Sequence, residues 1–179
     1  MPTNGGSRPG SQPGPLSPSA HGLRDAAIRA GECFETAVVT VFPTTPVHLR
    51  EIFLGLNWRI HEAQGARDVA QFLSTRRAPV ILCHCSFTDG NWRDLVDCLS
   101  GLPCPPRLVV TSELADDFLW AEVLNLGGYD VLAQPFRESE VVRTLTSALW
   151  QWAQEAARAL NWADAPSEQR PIPGSMREE

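Results

Sequence analysis

Cys83, His84 and Cys85 stand side by side, five residues ahead of an Asp89-Gly90-Asn91 turn. Thiols and an imidazole are zinc ligands, and a histidine is also a phosphoryl acceptor or general base. Ligation requires the donors to converge. The three residues end an apolar run, Pro79–Cys85, that reads as a strand, so residues 83 and 85 face one side and 84 the other. Adjacent strand residues of this kind do not close on one tetrahedral ion, and Cys98 and Cys104 lack close pair spacing. No metal site and no cofactor is expected. The cysteines read as small buried hydrophobes, with Cys104, between prolines in a loop, the most exposed thiol. Five cysteines is an odd count, which suits reduced thiols in a cytoplasmic protein.

Carboxylates cluster at Glu113, Asp116 and Asp117. Their spacing places them in the first turn of a helix, where they complement its dipole, and explains them without a catalytic role. The basic residues are more telling. All 15 are arginine, with no lysine in the chain. That excludes a Schiff-base lysine, a phosphate-loop lysine and a lysine general base. A net charge of −6 opposes nucleic-acid binding through phosphate contacts. Arg76, Arg77 and Arg137 read as solvated charges at element ends.

The elements that must position these groups follow from periodicity. Ala37–Phe42 is a buried strand, Val47–Leu56 a helix with Val47, Leu49, Ile52, Phe53 and Leu56 inward, and Asn57–Glu62 a weaker strand. Ala66–Ser74 is a helix with Val69, Ala70, Phe72 and Leu73 inward. Pro79–Cys85 is the third strand and Trp92–Leu99 the third helix. Arg107–Thr111, Asp116–Leu126, Tyr129–Ala133 and Glu138–Leu160 complete the series, with Gly127-Gly128 as a glycine C-cap. Trp152 shares the core-facing stripe of the last helix, and Trp150 points elsewhere, toward a partner or the fourth helix. Five strand–helix units imply a doubly wound α/β fold with a parallel sheet, whose ligands bind beyond the carboxyl ends of its strands. Residues 31–162 form the domain. Residues 1–30 and 163–179 read as disordered tails: the first is dominated by Gly, Pro and Ser in its opening 22 residues, and 164–179 is similar in composition. The N-terminus has no apolar signal region, and no run is long enough to cross a membrane.

Three segments in order carry a resemblance. Val80–Asn91 resembles the strand, acceptor aspartate and Pro-Asp-Gly turn of the receiver domains of two-component response regulators. Val109–Ser112 resembles their fourth strand with its signalling hydroxyl. Gly127–Phe136 resembles their Gly-Ala-x-x-Tyr-Leu-x-Lys-Pro-Phe segment. The resemblance covers residues 37 to 155 and implies a flavodoxin-like sheet of order 2-1-3-4-5. It also locates losses. The Mg²⁺-binding carboxylates fall on Pro43 and Thr44, the phospho-acceptor on His84, the lysine on Gln134 and the switch aromatic on Val131; Thr111 is retained, and Gln134-Pro135 matches a cis bond. Mg²⁺ needs carboxylate oxygens, and phosphoryl transfer needs positive charge at the equatorial oxygens. Neither is present at these positions.

The resemblance therefore implies a degenerate receiver, not an enzyme, acting by protein contact in bacterial signal transduction and phosphorelays. Its partners would be signalling proteins, a kinase or regulator, or a second copy of itself through the helix 4–strand 5–helix 5 face, where Val131, Phe136 and Trp150 fall. With only low-complexity sequence after the fold, no DNA-binding output domain is expected. His84 would fill the vacated pocket, bonded to Thr111 or to the backbone. Two alternatives are phosphotransfer through His84 and a small-ligand sensor using the emptied strand-end pocket.

Overall fold

The computed structural model describes residues 34–163, together with Asp25, Ala27, Ile28 and Gly31; for 160–163 only the backbone is described. Five parallel strands form one sheet: β1 (Val38–Val41), β2 (Ile60–Ala63), β3 (Val80–His84), β6 (Arg107–Ser112) and β7 (Asp130–Ala133). Their order is β2-β1-β3-β6-β7. A two-stranded antiparallel ribbon, β4 (Ser86–Phe87) with β5 (Gly90–Asn91), follows β3 and was expected only as a turn. With that ribbon set aside, the order is the expected 2-1-3-4-5.

The helices are α1 (Val47–Gly55), α2 (Ala66–Thr75), α3 (Trp92–Leu99), α4 (Asp117–Asn125) and α5 (Glu138–Ala163). Strand alternation splits the core in two. Val38, Val80, Leu82, Val109 and Leu132 pack against α1 and α5. Val39, Val41, Ile81, Cys83 and Val110 pack against α2, α3 and α4. Both faces of the sheet are thus covered, which is why its strands are apolar on successive residues.

Two inward assignments are corrected. Val47 is 73% exposed, because the buried stripe of α1 is Leu49, Ile52, Phe53 and Leu56 and Val47 lies about half a turn from Leu49. Ala70 is exposed for the same reason: the α2 stripe runs through Val69 and Phe72. The domain boundary also moves. Ala27 is fully buried within the core, and Ile28 packs against it. The Trp58 indole N–H donates to the Ala27 carbonyl at 2.8 Å. The Gly/Pro/Ser bias ends near residue 22, and Ala27 and Ile28 beyond it have core to cover. At the other end α5 runs to Ala163, past the expected Leu160. The rest of both tails, Cys33 and Trp162's side chain lie outside the described residues.

Candidate functional site

The parallel register delivers the carboxyl ends of β1, β3, β6 and β7 to one edge. His84 pairs with Thr111 across β3 and β6, and Thr111 with Leu132 across β6 and β7. Gln134 follows β7 and is tied down twice. Its backbone N–H donates to the Ser112 carbonyl at 2.9 Å, and its Nε2 donates to Thr111 Oγ1 at 3.1 Å. Thr111 is fully buried, so this bond satisfies a hydroxyl that water does not reach. The Gln134-Pro135 peptide is cis.

His84 takes the backbone option. Its Nδ1 lies 2.7 Å from the Ser86 carbonyl oxygen. The Ser86 N–H also points at the ring, at 3.2 Å. The imidazole is half-buried beside Phe42, ring centroids 6.3 Å apart, and Phe42 meets Phe136 edge-on at 6.5 Å. Phe42 is 5% exposed, and the Phe42–His84 and Phe42–Phe136 contacts fill the core side of this edge with aromatic rings.

Pro43 and Thr44 lie beyond β1 and are exposed, while Thr45 is buried. Neither exposed residue brings a carboxylate to the edge. Asp89 turns the β4–β5 ribbon and lines a surface recess with Gln64, Arg67 and Asp68. Among the described residues no group of three or more His, Cys, Asp or Glu converges to hold a metal ion. The residues present at the positions of the magnesium site do not fit that ion.

Strand alternation separates Cys83 from the His84 imidazole, while Cys85, just past the end of β3, stays within reach of it. Cys83 is buried on the α2–α4 side, with Cys85 half-buried against the same cluster. Burial raises the Cys83 thiol far above its ordinary range, and Cys85 adds to the effect. Cys85 Sγ is 3.7 Å from His84 Nδ1, a weak contact to a nitrogen already engaged by Ser86. Cys104 does not stand out: it is half-buried, like Cys85 and Cys98. Two of the three clustered carboxylates form the helix start as expected, Asp117 in the first turn and Asp116 as its cap with Oδ1 accepting from the Leu119 N–H at 2.8 Å, whereas Glu113 lies in the turn before the helix.

Of the three residues expected to form the contact face, only Trp150 is exposed, at 46%. Val131 and Phe136 are half-buried against the two core clusters. Trp152 is in the core, edge-on to Phe34 at 5.8 Å. Sequence reasoning missed the outer surface of α4, where Phe118 is 78%, Trp120 49% and Leu126 46% exposed. The signal was present: Asp117–Asn125 holds more apolar residues than one buried stripe uses, and only Val123 is fully buried. Trp120 Nε1 donates to Asp130 Oδ1 at 3.2 Å, joining α4 to β7.

No protein-family model matches the sequence, and no curated protein does. Solved structures do match. The signal receiver domain of an HD-domain-containing protein from Pseudomonas fluorescens aligns over 69% of this chain and 93% of its own, at TM-score 0.61 and 20% identity. The beryllofluoride-activated NtrC4 receiver domain dimer aligns over 65% and 98%, at TM-score 0.58 and 18% identity. The receiver domain of the sensor histidine kinase PA1611 from Pseudomonas aeruginosa, with magnesium coordinated in its active-site cleft, aligns over 64% and 98%, at TM-score 0.56 and 15% identity. The chain has the receiver fold.

Proposed function

We propose that this chain is a degenerate receiver of two-component signalling, one that works by protein contact and not by aspartyl phosphorylation. One observation carries the reading. At the edge where a receiver holds its acceptor aspartate, His84 is bonded to its own backbone neighbourhood and Gln134 is bonded to Thr111. Residues 43 and 44 bring no carboxylate to gather Mg²⁺, and the receiver's lysine is matched by Gln134 in a chain with no other lysine to replace it. A glutamine amide gives one neutral hydrogen bond in its place, about half the strength of a charge-assisted one. The protein is then not an enzyme. Its partners are signalling proteins, kinase or regulator, or a second copy of itself, met through the α4–β7–α5 side where Phe118, Trp120, Leu126 and Trp150 are exposed. Nucleic acid is not among them, given the net charge of −6. Among the described residues no helix is long and apolar enough to cross a membrane, and a cytoplasmic location goes with the proposed role.

The test is incubation with acetyl phosphate and Mg²⁺, read by phosphate-affinity electrophoresis. No shifted band is expected. A hydroxylamine-sensitive band would show an acyl phosphate and overturn the reading. The place of His84 at the end of β3, where a receiver holds its acceptor, favours one second reading, phosphotransfer. An acid-labile band lost in His84→Ala would establish it instead. A ligand-sensing role for the strand-end pocket finds less support, since Phe42, Phe136 and the Gln134–Thr111 pair occupy that edge.

A further inference from the structure

The opposite edge of the sheet, at the amino ends of β3 and β6, holds a cavity of about 210 Å³ that no part of the receiver reading uses. Its walls are apolar: Leu73 from the end of α2, Leu102 and Pro103 from the loop after α3, and Trp152 from α5. Four residues of that loop, 103–106, include three prolines, whose fixed φ angles hold the wall in one shape before any ligand arrives. Space for roughly seven waters at about 30 Å³ each is small for a drug-sized ligand and suits a short apolar body.

The mouth is cationic in an acidic protein. Arg76 and Arg77 both line it. Arg76 has a long, exposed contact with Glu35 at 3.7 Å, which holds it weakly. Arg77 has no carboxylate partner among the described residues. The neighbouring Arg107 is already neutralised by Glu155 on α5. Cys104, also on the wall, is pushed up mainly by burial and then by Glu155, while Arg77 and Arg107 pull it back. It therefore lines the wall as an uncharged thiol at neutral pH. Apolar walls with one uncommitted guanidinium at the rim match a ligand with an apolar body and one anionic head.

We propose that this cavity binds a small organic carboxylate, its body against Leu73, Leu102 and Trp152 and its carboxylate on Arg77. A guanidinium meets a carboxylate through two parallel N–H···O bonds, which a neutral amide does not reproduce. The site lies across the sheet from His84 and stands or falls independently of the pseudo-receiver reading.

The experiment is calorimetric titration and thermal shift of the full chain with benzoate, phenylacetate and hexanoate, each beside its primary amide. Saturable binding of at least one carboxylate is expected, with its amide at least tenfold weaker. Arg77→Gln, at an exposed position, should weaken that binding about tenfold with the unfolding temperature of the free protein unchanged. Leu102→Phe, which fills the cavity without touching charge, should abolish it while circular dichroism shows the fold retained. No binding by any of the three up to 10 mM would overturn the proposal. So would an amide that binds as tightly as its acid, or affinity unchanged in both variants.

Discussion

At the residue scale, the strand-end edge is governed by which group satisfies which. Thr111 is fully buried, and its hydroxyl accepts from Gln134. Gln134→Ala removes that donor and should lower unfolding free energy by about 1–2 kcal/mol, measured by urea titration. Thr111→Val removes the buried hydroxyl itself and lets the half-buried amide turn to water, so it should cost less than Gln134→Ala. A larger loss for the valine would refute this ranking. Titration acts on the same core. Cys83 is raised by burial from an ordinary value of 9.0, and Tyr129 by burial and then Asp130 from 10.0. Above pH 9 the unfolded chain loses these protons while the folded chain keeps them. The unfolded state then binds fewer protons, and stability falls as pH rises. Below pH 9 both states are protonated and the contribution is constant. Urea titrations from pH 7 to 10.5 should show a flat region and then a decline, and Cys83→Val should make that decline shallower.

At the element scale, helix ends decide where the strands can stop. Asn91 caps α3 by accepting from the Arg93 N–H at 2.9 Å, and Asp94 Oδ2 accepts from the Asn91 N–H at 2.7 Å. This reciprocal capping box explains why α3 begins at Trp92, where the turn signal placed it. A Cβ on Gly90 would stand 2.3 Å from Asp94 Oδ2, so Gly90→Ala displaces the carboxylate from the box. Asn91→Ala should cost about 1 kcal/mol, and Gly90→Ala at least as much, in thermal unfolding. At the far end of α4, Gly127 has φ +94° and its N–H donates to the Leu124 carbonyl at 3.1 Å. The Gly128 N–H donates to the Val123 carbonyl at 2.8 Å, completing a Schellman close. Gly127→Ala strains that left-handed residue and should cost about 1 kcal/mol, whereas Gly101, with open space around its Cβ position, should tolerate alanine within 0.5 kcal/mol.

At the scale of the whole molecule, the exposed apolar side chains of α4 and Trp150 predict self-association or a partner. Sedimentation velocity from 5 to 500 µM should show a concentration-dependent dimer, and Phe118→Ser with Trp120→Ser should return it to monomer with its circular dichroism unchanged. Much of the architecture was legible in the chain. The β-branched runs, the glycine and proline breaks and the alternating periods require a parallel sheet with helices on both faces, because backbone groups must pair locally and apolar faces must be covered wherever they occur. That residues 43, 44, 84 and 134 carry neither a carboxylate nor a lysine was also legible, since side-chain type does not depend on the fold. Other features depend on what lies across space. Whether His84 meets Thr111 or Ser86, whether Phe136 faces solvent or Phe42, and whether Arg77 finds a carboxylate are set by neighbours distant in sequence. The burial of Ala27 beneath Trp58 is of that kind too: a short apolar stretch beside a Gly/Pro-rich flank has no pattern of its own, and only the packed core supplies the surface that orders it.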